Sequence, residues 1–183
     1  MFEQLHNIPW ENLKQASGLS GHIPDAIQGL VSHDLDEQEQ SYWQLDNHVV
    51  LQGDLYQSAF YVIPFLIEIL TSETTSARSY AYDLLFEIAN GYAPKECLCK
   101  YDNSDMPLTE ACKKSIADAF KIFLDDVANP MSKNREDALN LLISLKWHID
   151  EIVLNLSGIK DKETNAEFCA AIEEAISEIQ QRL

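Results

Sequence analysis

The chain has 183 residues, is 46% hydrophobic and carries 30 acidic against 13 basic side chains, a formal charge of −17. That length and apolar content suffice for one packed core and argue against a disordered chain, while so negative a field repels phosphate backbones and anionic lipid surfaces, which makes nucleic acid and membrane poor partners. The acidity is concentrated at one end: residues 1–91 carry 13 acidic and 2 basic groups (−11), and residues 92–183 carry 17 and 11 (−6).

Residues 1–20 read as a short N-terminal extension. Met1 to Trp10 has neither the basic region nor the apolar run of a secretory signal, so a cytoplasmic location is expected. Gly18-Leu19-Ser20-Gly21 lacks the spacing of a serine nucleophile elbow and reads as a turn before the first helix. Ile23-Pro24 then opens that helix, with proline in the first turn, where its missing N–H costs nothing. Asp34 is placed to cap the next helix. The run Asp34, Asp36, Glu37 and Glu39 lacks the central glycine and distal glutamate of a calcium loop and suits the positive end of a helix dipole.

Further along, Tyr56, Ala59, Phe60, Ile63, Leu66, Ile67 and Leu70 fall three and four apart, the stripe of a buried helix. Pro64 lies inside that run, where an interior proline costs about 3 kcal/mol, so a kink or helix restart is expected there. Ser76 is a candidate cap for the next helix, striped by Ala77, Ala81, Leu84, Leu85 and Ile88. Residues 91–107 cluster Gly, Pro, Asn, Asp and Ser without periodicity and read as an insertion loop. Helical stripes resume at Ile116, Ala119, Phe120, Phe123 and Val127, then at Ala138, Leu141, Leu142 and Leu145, and finally from Phe168 to Ile179. No alternating run calls for a sheet.

The stripes repeat. Ile23-Pro24, Ile27, Leu30, Ser32, Tyr42 and Leu45 recur forty residues later as Ile63-Pro64, Ile67, Leu70, Ser72, Tyr82 and Leu85. A further shift of 57 residues matches Ile63, Ile67, Leu70, Arg78, Ala81 and Leu85 to Phe120, Leu124, Val127, Arg135, Ala138 and Leu142, and a fourth, degenerate pair follows Ile149. A period near forty is that of HEAT-like units, none of which buries its own apolar stripe alone. The expected fold is all-α: a single domain, 1–183, forming a right-handed α-solenoid of three to four stacked antiparallel helix pairs.

Ile8-Pro9-Trp10-Glu11-Asn12-Leu13, and Gln52-Gly53-Asp54-Leu55-Tyr56 leading into Val62-Ile63-Pro64-Phe65-Leu66, resemble the motifs of bacterial HEAT-repeat domain proteins over roughly Ile8 to Leu145. The resemblance departs where that family usually has a histidine before the Gln-Gly pair; here the position is Leu51, and the nearest histidine is His48. It implies an armadillo-type solenoid used for protein contacts and, because such relatives stand beside polymorphic toxin genes, an immunity role.

No constellation of residues announces catalysis, so the chain is not expected to be an enzyme. Cys97, Cys99 and Cys112 fall short of a structural zinc set and read as small packing residues, leaving no metal or cofactor expected. His22, His33 and His48 show no ligand spacing, and Trp10, Trp43, Trp147, Tyr42 and Tyr56 have no interleaved basic patch and read as packing residues. The function expected is that of an immunity-type protein blocking a basic toxin or effector, with the contact surface on the second helices of the repeats at Asp36, Glu37, Glu39, Asp46, Asp83 and Glu87. The alternative is a general adaptor whose charge serves solubility.

Overall fold

The computed structural model describes residues 1–18, 20–72, 75–95 and 97–182, Thr75 by its backbone only. The chain is mostly helical. Nine α-helices lie among the described residues: α1 (Ile23–Gly29), α2 (Leu35–Val49), α3 (Gln57–Leu70), α4 (Thr75–Asn90), α5 (Leu108–Ala117), α6 (Phe120–Ala128), α7 (Arg135–Ser144), α8 (Ile149–Lys160) and α9 (Ala166–Gln180). Packing divides the chain into two compact units, Met1–Ser115 and Ile116–Leu183.

In the first unit α1 pairs with α2 and α3 with α4, and the pairs meet through α1 against α3 and α2 against α4. The apolar stripes supply the interface: Ile23, Ile27, Leu45, Ile63, Leu66 and Leu85 are fully buried, each worth roughly 2 kcal/mol of transfer free energy. Pro24 occupies the first turn of α1 and Asp34 caps α2 by accepting from the Asp36 N–H at 3.0 Å, both as the sequence indicates.

Two local expectations are corrected. Helix α3 runs unbroken through Pro64, with no restart. Pro64 lies on the exposed face, and it leaves the Phe60 carbonyl without its usual N–H partner. Ser76 lies inside α4 rather than capping it, and its Oγ accepts from the Gln38 amide of α2 at 3.0 Å.

Two short antiparallel hairpins accompany the helices. In the first, β1 (Val50–Leu51) pairs with β2 (Asp54–Leu55) across Gln52 and Gly53, both at positive φ, the geometry of a two-residue hairpin turn. The chain leaving α4 returns to this hairpin: Leu55 donates to the Tyr92 carbonyl at 2.8 Å, and the Tyr92 N–H to Gly53 at 2.9 Å. Within the insertion 91–107, β3 (Leu98–Tyr101) pairs with β4 (Ser104–Pro107) across Asp102 and Asn103, also at positive φ. The N-terminal segment is packed rather than loose, with Phe2 and Trp10 both against the Phe65 ring and the Trp10 indole N–H on the Leu5 carbonyl at 2.8 Å.

In the second unit α6 pairs with α7 and α8 with α9, and again first packs on first (α6 on α8) and second on second (α7 on α9). Asn165 caps α9, accepting from the Glu167 and Phe168 N–H groups at 2.9 and 3.1 Å. The stripe expected from Ile116 to Val127 is broken: Ile116 lies in the last turn of α5, which ends at Ala117, and α6 begins at Phe120. Arg135 joins several parts of this unit, donating to the Val127 carbonyl at 2.8 Å, pairing with Glu163, and lying 3.8 Å above the Phe168 ring.

Candidate functional site

Helices α2 and α4 lie side by side, and their spacing decides what they present. On α2, Glu39, Tyr42, Trp43 and Asp46 fall at i, i+3, i+4 and i+7; on α4, Tyr80, Asp83 and Glu87 fall at i, i+3 and i+7. Tyr42 joins the two rows. Its ring stacks on Tyr80 with centroids 5.0 Å apart and planes 30° off parallel, and its hydroxyl donates to Asp83 Oδ2 at 2.5 Å. Trp43 stands edge-on to Tyr42 at 4.9 Å, with its indole N–H directed at Glu39 Oε1 at 3.5 Å. It is 50% exposed, a large aromatic surface left to solvent.

The carboxylates around these rings act on one another. Partial burial, and then the charge of Asp83, raises the Asp46 carboxyl above its ordinary range. Burial followed by the charges of Asp83 and Asp46 raises Glu87 in the same way. Burial, the hydrogen bond to Asp83 and the surrounding carboxylates hold the Tyr42 phenol well above its usual value, so it remains a donor. Among the described residues, no ion pair includes Asp46, Asp83 or Glu87. The face therefore combines concentrated negative charge with exposed aromatic surface, a chemistry suited to an arginine or lysine side chain approaching from outside.

Of the six acidic residues picked out from sequence, the structure brings Asp46, Asp83 and Glu87 together, and Glu39 adjoins them through Trp43. Asp36 is exposed in the first turn of α2. Glu37 is turned toward the α1–α2 connection, where Ser32 Oγ donates to it at 2.5 Å. Tyr42, Trp43 and Tyr80 were not among the six. The acidic–aromatic spacing Glu39, Trp43, Asp46 is the signal that marks them, and it becomes a surface only when α4 is laid beside α2.

The other motifs have structural roles. Ser20 is fully buried, with its hydroxyl on the Leu13 carbonyl at 2.5 Å; Leu19 of the same motif lies outside the described residues. Cys99 and Cys112 are buried and Cys97 and Cys169 partly so, all four as thiols. No group of three or more His, Cys, Asp or Glu side chains among the described residues is placed to hold a metal ion. His22 and His48, far apart in sequence, meet ring to ring at 4.5 Å. His148 stacks on Phe120 at 4.8 Å with Nε2 3.1 Å from Asp118. No described helix is long and apolar enough to cross a membrane. No family model matches the sequence, and no curated protein matches it either.

Proposed function

We propose that this chain is a HEAT-like α-solenoid that binds a basic protein through the α2/α4 face, and that it serves as an immunity-type protein blocking a toxin or effector. The observation that carries the reading is the set Asp46, Asp83 and Glu87, held in one another's field beside the half-exposed Trp43. Carboxylates crowded in this way gain when a cation is placed among them, and opposite charge accelerates encounter. Trp43 adds the rigid aromatic area typical of interface hot spots. The solenoid part is supported by the recurrent pairing, in which first helices pack on first and second on second within each unit.

The test is capture of partners by the tagged protein at low and high salt, repeated with D46K/D83K/E87K and with Trp43→Ala. One basic chain, released by salt and lost with either variant while helical circular dichroism is retained, supports the reading. A basic partner that both variants still bind removes this face from consideration. Several partners indifferent to salt favour the adaptor role instead.

A further inference from the structure

The second unit shows how this chain holds a cation against an aromatic ring. The Arg135 guanidinium lies 3.8 Å above the Phe168 ring centroid, pairs with Glu163 and donates to the Val127 carbonyl at 2.8 Å. The lysines placed over rings stand farther off: Lys114 Nζ is 5.4 Å from the Tyr101 centroid, and Lys121 Nζ is 5.6 Å from that of Phe120. The difference is one of shape and hydration. A planar, weakly hydrated guanidinium lies flat on a ring and still directs N–H groups sideways to carboxylates, whereas an ammonium is a compact charge that keeps its water.

The α2/α4 face offers the same kinds of partner without the cation. Trp43 supplies the ring, with half of its surface open to solvent. Glu39 and Asp46 flank it along α2, four residues before and three after, and the indole N–H points at Glu39 Oε1 from 3.5 Å, which sets that carboxylate beside the ring. From α4, Asp83 acts on Asp46, and both act on Glu87. Among the described residues, none of these four carboxylates has an ion pair. Residues 1–91 have only two basic side chains, Lys14 and Arg78. Arg78 is engaged with the Leu70 carbonyl, and Lys14 is bonded through its backbone to the start of α3.

Resting on the reading of this face as the surface for a basic protein, we propose that the partner is anchored there by an arginine and not by a lysine. Its guanidinium lies flat on Trp43, and its N–H groups go to Glu39 and Asp46. Asp83 and Glu87 strengthen the field that draws it in. Tryptophan against arginine is also the pairing most enriched among residues that dominate interface energetics.

The probes are two blocked pentapeptides of equal charge, in which glycine alternates with two arginines or with two lysines. Each is titrated into the full nitrogen-15-labelled chain, and the indole N–H resonances of the three tryptophans are followed by NMR, that of Trp43 being identified by its loss in Trp43→Leu. Trp10, which is buried, and Trp147, in the second unit, are the internal controls. The arginine peptide should move the Trp43 signal saturably at low salt, with a dissociation constant on the order of 1 mM, and should bind about threefold more tightly than the lysine peptide. In Trp43→Leu, followed through the Tyr80 ring, the two peptides should bind alike, and in D46N/D83N/E87Q both should be lost. Equal affinity of the two peptides for the parent chain, with both lost in D46N/D83N/E87Q, would overturn the arginine anchor and leave the basic-protein reading standing. An arginine preference that survives Trp43→Leu would also overturn the anchor. If neither peptide moves the Trp43 signal, the anchor and the face fall together.

Discussion

Arg78 and Arg135 make the same bond in the two units. Each guanidinium reaches back eight residues and donates to a main-chain carbonyl at the end of the preceding helix, Leu70 for Arg78 and Val127 for Arg135. The first repeat has Gln38 at the corresponding position, and its amide donates to the Ser32 carbonyl at 2.5 Å. The last carbonyls of a helix have no partner within the helix, and in the α3/α4 and α6/α7 pairs the second helix supplies one. Arg78→Met should therefore destabilise the first unit by about 1–2 kcal/mol in urea unfolding. Arg135→Met should lower the melting temperature further, since it also strips Glu163 of its cation and Phe168 of the guanidinium above its ring.

Acid should weaken the second unit through Glu163. The Asn165 N–H, then the Arg135 guanidinium, lower this carboxyl below its ordinary value of 4.5. A lowered folded-state value means that the contribution is fully present above 4.5 and is lost as pH falls through the lower, folded value. Thermal melts of Glu163→Gln should accordingly start lower at neutral pH and show a smaller decline between pH 5 and about pH 3 than the parent chain.

The α2/α4 face should respond with the opposite sign. Asp46 and Glu87 are raised in the folded state, so their charged forms cost stability above the raised values, and the cost disappears as pH falls to the ordinary carboxylate range. Glu87→Gln should thus stabilise the protein at neutral pH, by less than about 1 kcal/mol because the group is largely solvated. The gain should vanish near pH 4 and shrink in high salt, as read by denaturation midpoints across both series.

Gly91 should tolerate no side chain. A Cβ there would stand 2.8 Å from Leu55 Cδ2, 2.9 Å from Leu55 Cγ and 3.0 Å from the Gly53 carbonyl oxygen. Backbone and a buried leucine have little room to yield, so Gly91→Ala should cost about 1–3 kcal/mol in urea unfolding. The loss would mark the segment after α4 as part of the first-unit core.

Helix content, the pairing of helices and the equivalence of Arg78 with Arg135 were all legible in the sequence, because a 3.6-residue stripe and a recurring offset are local or additive signals. Asp34 as a cap and Pro24 in a first turn were legible for the same reason: each depends on groups a few residues away. That no helix restarts at Pro64 was not legible, because the packing of the surrounding apolar stripe outweighs the hydrogen bond that proline removes, and the break between Ile116 and Phe120 was hidden because the stripe continues across it. Local order also hid the hairpin at Leu98–Pro107, where strands of four residues carry little alternation.

The candidate sites were legible only in part. Acidic residues on second helices could be named from sequence, but not that Tyr42 would join Asp46 to Asp83 and Glu87, nor that Glu37 would turn to Ser32 instead. Periodicity determines which side of each helix is buried, because burial follows the helix's own geometry. Which exposed groups then meet depends on contacts between residues distant in the chain, and those are decided only when the helices pack.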